Sequence, residues 1–106
     1  MDRRVIDGVL ELGTGEIGAI ATIISTKGST PRKSGAQILF YRDGRTLGTI
    51  GGGCGEAEVR QHAFQAMDLG RPTIVTISLT DDVAGEDGMV CGGTMTVFVE
   101  PVVGSG

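Results

Sequence analysis

Ile17-Gly18-Ala19-Ile20-Ala21-Thr22-Ile23-Ile24-Ser25 is the stretch on which the fold turns. It is rich in isoleucine and apolar at odd and even positions alike, so neither face is marked for solvent. A buried central strand reads this way. Upstream, residues 2–12 carry Val5, Ile6, Val9 and Leu10 at helical spacing, and Gly13 and Gly15 end the pattern. Downstream, residues 36–41 and 46–50 flank Asp43-Gly44, a pair favoured in a tight two-residue hairpin turn. A second helix is expected from Gly55 to Leu69, with Val59, Ala63, Phe64 and Met67 as its apolar stripe and Gly70 and Pro72 as its stop. On its surface Glu56–Arg60 and Glu58–His62 are spaced as i,i+4 pairs. Residues 73–79 and 94–100 read as two more strands, separated by an acidic loop and by Gly88-Met89-Val90-Cys91-Gly92-Gly93. The order is helix, three strands, helix, two strands. It predicts one α+β domain over residues 1–103: two helices and a mixed, mostly antiparallel sheet of about five strands. Gly104-Ser105-Gly106 reads as a flexible tail.

A chain of 106 residues suits one hydrophobic core, and 40% apolar with 21% charged residues is close to a globular average. Glycine is the exception, with 19 residues, while aromatics make up only 4%. Glycines at that density mark sharp turns and places where backbone comes close to something else. No signal pattern opens the chain, and no apolar run approaches the roughly 20 residues that span a bilayer. The two cysteines therefore read as reduced thiols, and the expected location is cytoplasmic with no membrane contact. A net charge of −4 argues against nucleic acid as a partner. Its distribution says more. Lys27, Arg32, Lys33, Arg42 and Arg45 face one acid, Asp43, whereas Asp81, Asp82, Glu86 and Asp87 crowd a short stretch without a base. One basic stretch in an acidic protein suits a small anionic ligand.

Gly48-Thr49-Ile50-Gly51-Gly52-Gly53-Cys54-Gly55-Glu56 runs from a strand into a helix, where free N–H groups and the helix dipole can hold an anion. It is no Walker A loop, since no Lys-Ser/Thr follows the glycines. It is no dinucleotide fingerprint either, because Glu56 or Glu58 stands where the third glycine belongs. Tight packing without a ligand explains the loop equally well. Cys54 at the helix start should carry extra thiolate character, suited to a soft metal or to sulfur. An arbitrary free cysteine is more often a small buried hydrophobe. Cys91 is framed similarly by Gly92 and Gly93. A zinc site is poorly supported, with no C-x-x-C pair and one histidine, His62, two helical turns beyond Cys54. The loop 27–35 packs three cations with Ser29, Thr30 and Ser34 around Pro31, which suits a phosphate or a pterin edge, or a plain solvated loop.

Three segments, residues 21–35 (ATIISTKGSTPRKSG), 48–54 (GTIGGGC) and 88–93 (GMVCGG), resemble the XdhC/CoxI family in the right order, and the likeness covers about residues 18–101. Its members are accessory factors of xanthine dehydrogenase and carbon monoxide dehydrogenase. The resemblance implies transient binding of a molybdopterin-type molybdenum cofactor, its protection during maturation, and its insertion into a molybdenum hydroxylase apo-enzyme. It implies that Ser29, Arg32, Lys33, Gly51, Gly52, Gly53, Glu56 and Gly92 hold the pterin or its phosphate. Cys54, with Cys91, would lie near the metal or its sulfur, and Cys54 is the residue expected to touch metal. No catalytic residue is expected. Members often continue into a Rossmann-like second half, so a separate second half and self-association are expected as well. Two departures are Gly55, where members usually carry a larger apolar residue, and Ser34, where proline is common. Two other classes compete: a thiol sulfurtransferase or oxidoreductase fragment acting through Cys54, which lacks an evident base, and an interaction module without ligand that docks through the Asp81–Asp87 loop.

Overall fold

The computed structural model describes residues 3–28, 34–48, 55–79, 83–84, 89–90 and 92–105. The chain forms α1 (Arg3–Leu10), β1 (Ile17–Lys27), β2 (Gln37–Tyr41), β3 (Thr46–Gly48), α2 (Glu56–Leu69), β4 (Thr73–Ser78), β5 (Val83–Ala84), β6 (Met89–Val90) and β7 (Thr94–Val103). The five-strand sheet runs β3-β2-β1-β7-β4, and β5 pairs with β6 as a separate two-strand ribbon. Every pairing among these strands is antiparallel. The expected α+β domain with two helices forms. The β5–β6 ribbon lies where sequence suggested only loop, because two-residue strands are too short to show a period.

Each helix covers one face of the sheet. On one side Ala19, Ala21, Ile23, Ile38, Phe40, Ile77, Met95, Val97 and Val99 pack under α2 through Val59, Ala63, Ala66 and Met67. On the other, Ile20, Leu39 and Tyr41 pack with Val5 and Leu12 around α1. Strand alternation sends successive side chains to the two cores. The buried face of α1 is Val5 and Gly8, whereas Ile6 and Leu10 are 38% and 75% exposed. Gly8 stands in that stripe because Leu47, Leu39 and Tyr41 come within 2.6–2.9 Å of where its Cβ would be. The expected stripe of α2 holds, with Ala66 added and Phe64 at its border.

Two-faced burial in β1 stops at Ile23. The β1–β7 register shifts between Ile23 and Ser25, and Ile24 is 47% exposed. The hairpin between β2 and β3 is one residue longer than a two-residue turn. Tyr41 N–H donates to the Arg45 carbonyl at 2.8 Å and Gly44 N–H to the Tyr41 carbonyl at 3.0 Å, with Gly44 at φ 98°. Three loop residues with the last in the left-handed region is the next most common hairpin closure. Glu56 and Arg60 approach to 3.9 Å, while Glu58 and His62 form no pair among the described residues. Gly104 is buried and held on both backbone groups, donating to the Glu16 carbonyl and accepting from Gly15.

Candidate functional site

Antiparallel pairing gathers six element ends at one edge of the domain. The end of β1 lies beside the start of β7 (Lys27 opposite Thr94), which lies beside the end of β4 (Ser78 opposite Thr94). The start of β2 lies beside the end of β3 (Ile38 opposite Gly48), and Gln37 opposes Thr22 of β1. The N-terminus of α2 joins them through Gly55, whose Cβ position is 2.8 Å from Leu79 Cδ2 and 3.1 Å from both Ile77 and Met95. The borders of all three glycine-bearing segments therefore meet at this end.

A second contact at this end is made by backbone alone. Gly28 is left-handed at φ 73°, and a Cβ on it would lie 3.1 Å from the Gly93 Cα and 3.4 Å from the Gly92 oxygen. Leu79 N–H donates to the Gly93 carbonyl at 2.8 Å, tying the end of β4 to the same spot. Gly28 is thus explained by a strand end that leaves no room for a side chain, whereas the space beside Gly92 is open. Gly55 caps α2 at φ 73° with no side-chain cap, and its carbonyl accepts from Val59 N–H at 3.0 Å.

Of the residues singled out by sequence, Glu56 and Gly92 can be placed. Glu56 is in the first turn of α2 beside Glu58, so the positive end of that helix already faces two carboxylates of its own. It pairs with Arg60, whose guanidinium donates to the Gly44 carbonyl at 2.9 Å and lies over the Phe40 ring. Gly92 is exposed at the junction with Gly28. Ser29, Arg32, Lys33, Gly51, Gly52, Gly53, Cys54 and Cys91 lie outside the described residues. The described residues that border these segments are Gly28, Ser34, Gly48, Gly55 and Gly92. Among the described residues no group of three or more His, Cys, Asp or Glu stands together as a metal site. None of their helices is long and apolar enough to cross a membrane. Sequence reasoning missed the Leu79–Gly93 bond and the Gly28–Gly93 approach, for which paired glycines at two strand ends were the available signal.

A model of the XdhC and CoxI family matches residues 12–78. The chain is 41% identical over 81 residues to the uncharacterized protein YqeB of Escherichia coli strain K12, covering 76% of this chain and 15% of that one. It is 33% identical over 100 residues to a probable xanthine dehydrogenase subunit of Bacillus subtilis strain 168, covering 92% and 30%. A third relative, the molybdenum cofactor insertion chaperone PaoD of Escherichia coli, is 35% identical over 60 residues, covering 57% and 19%. A crystal structure of a xanthine dehydrogenase from Bacillus halodurans superposes with a TM-score of 0.75 at 35% identity, over 91% of this chain and 29% of that chain. The chain spans less than a third of each of these proteins.

Proposed function

The chain belongs to the XdhC and CoxI family, and on that premise we propose that it is an accessory protein, not an enzyme with its own turnover. It binds the molybdenum cofactor transiently and assists its maturation or insertion into a xanthine dehydrogenase-like apo-enzyme in the cytoplasm. One observation supports this reading most: the borders of the basic loop, the glycine loop and the Cys91 segment meet at one end of the sheet. That end offers bare glycine backbone and the Lys27 ammonium, a donor set that fits an anionic, polar-edged molecule better than an apolar one. In this reading Ser29, Arg32, Lys33, Gly51, Gly52, Gly53 and Gly92 hold the pterin and its phosphate. Cys54 and Cys91 supply the soft thiolates that face the metal. When bound, the cofactor supplies molybdenum and its sulfur ligand; the chain's residues bind, orient and shield it. The proposed partners are the molybdenum hydroxylase apo-enzyme, a Rossmann-like second half and a second copy of this chain.

Protein purified without oxygen from a cofactor-making host, analysed for molybdenum and for pterin fluorescence, tests the reading. Co-purification of both in constant ratio supports it. Protein that carries neither and captures none from a donor solution overturns it.

A further inference from the structure

The shift in register at Ile23/Ser25 has a consequence on the face of the sheet away from α2. Cross-strand partners share a face, and Ile23 opposite Val97 is in the α2 core. Without the extra residue, strand alternation would send Ser25 and Lys27 to the same side as Ile23. Instead Ser25 opposes Thr96 and Lys27 opposes Thr94, so both are turned to the other face. Bulges commonly re-aim side chains in this way near functional sites. The adjoining strand continues both rows, with Thr76 opposite Thr96 and Ser78 opposite Thr94.

The result is a cavity of about 210 Å³ lined by Ser25, Thr26, Lys27, Thr76, Thr94 and Thr96. The hydroxyls of Ser25, Thr76, Thr94 and Thr96 and the Lys27 ammonium share this face, while Thr26, opposite Met95, is turned to the α2 side; neither a carboxylate nor an apolar side chain lines the cavity. In a protein of net charge −4 this is a local reversal of sign. Lys27 forms no ion pair among the described residues. Liquid water occupies roughly 30 Å³ per molecule, so the volume admits a tetrahedral oxyanion together with some of its hydration. Hydroxyls donate to such an anion from several directions, and the ammonium adds a charge-assisted bond. A cation would meet Lys27, and a neutral polyol would leave that charge without a counterpart.

We infer that the Ser25–Lys27 and Thr76–Thr94–Thr96 basin binds a tetrahedral oxyanion, either free or as the terminal monoester of a larger molecule. The site is formed by strands alone, on the face opposite α2; it shares Lys27 with the cofactor reading but stands on the strand geometry, whichever molecule carries the oxyanion.

Titration of the intact chain with inorganic phosphate, and separately with phenyl phosphate, followed by amide and threonine-methyl NMR shifts, tests it. Saturable shifts centred on Thr94, Thr96 and Lys27 are expected. Lys27→Met and Thr96→Val should each weaken binding about tenfold, the loss that follows from deleting a hydrogen bond to a charged group. Lys27→Arg should retain binding, and unchanged far-ultraviolet circular dichroism controls for folding. Tighter binding of phenyl phosphate identifies an esterified ligand, and equal or tighter binding of inorganic phosphate a free oxyanion; both support the site. Absence of saturable shifts with either probe overturns the inference, as do shifts that persist undiminished in Lys27→Met and Thr96→Val.

Discussion

Gly55 carries two constraints at once. Its φ of 73° is left-handed, and its missing side chain makes room for Leu79, Ile77 and Met95. A non-glycine residue in that conformation costs about 1–2 kcal/mol, before any clash. Gly55→Ala should therefore lower stability by roughly 2–3 kcal/mol once overpacking is added, read as a drop in thermal midpoint. A midpoint equal to that of the unaltered chain would mean that the helix start rearranges freely. Cys54 is the residue beside it. Cys54→Ala should leave the circular dichroism spectrum and midpoint unchanged while lowering the molybdenum recovered per pterin, because a soft donor is removed without touching the pterin contacts. An unchanged metal-to-pterin ratio would dismiss the thiol. Gly55 was legible in sequence as a departure from its relatives, yet its positive φ was not, because that depends on where β4 and β7 end.

The β2–β3 hairpin holds a carboxylate that responds to acid. Asp43 accepts from the Arg45 backbone N–H at 3.0 Å and from its guanidinium at 2.8 Å. The Arg45 backbone bond leads, and with the guanidinium it holds the carboxyl below its ordinary value of 3.8. A lowered folded-state pKa gives stability that is present above the unfolded value and lost as pH falls through the folded one. The thermal midpoint should thus fall on the acid side below about pH 4. Asp43→Asn should shrink the difference between neutral and acid midpoints; an identical acid limb would show that other carboxylates carry it. Helix α1 gives a contest of magnitudes. Alanine is favoured over glycine inside a helix by about 1 kcal/mol. At Gly8, however, a Cβ would meet Leu47, Leu39 and Tyr41 at 2.6–2.9 Å, and overpacking of that kind costs about 1–3 kcal/mol. Gly8→Ala should therefore be destabilising by about 1 kcal/mol in denaturant titration, whereas a stabilised variant would mean that α1 lifts easily from the sheet. Helical period located α1, but Gly8 was invisible as a contact residue because glycine adds nothing to an apolar count.

At the scale of the whole molecule, the sheet ends in two unlike edges. β3 is three residues long, whereas β4 reads Thr73-Ile74-Val75-Thr76-Ile77-Ser78 without a charge, and Ile74 is 61% exposed. Short edges and edge charges discourage strand pairing between chains, and β4 lacks both. The proposed self-association is therefore expected along β4, as a twofold antiparallel pair. Light scattering should give a dimer mass at high concentration, and Thr76→Lys should return the mass towards the monomer. A monomer at every concentration would leave only a different chain as the partner of this domain.

The sequence by itself determined the order of the two helices and the five strands of the main sheet, the α+β class and the family, because these rest on local information. Isoleucine runs, a 3.6-residue stripe, glycine stops and three ordered segments are all properties of neighbouring residues. Tertiary structure decided the rest. Meeting of the three segment borders depends on which strand ends pair, and Lys27 opposite Thr94 or Ser78 opposite Thr94 joins residues far apart in the chain. The re-aiming of Ser25 and Lys27 depends on one extra residue in β1, which no period of two can disclose, since an inserted residue becomes visible only against the strand it fails to match.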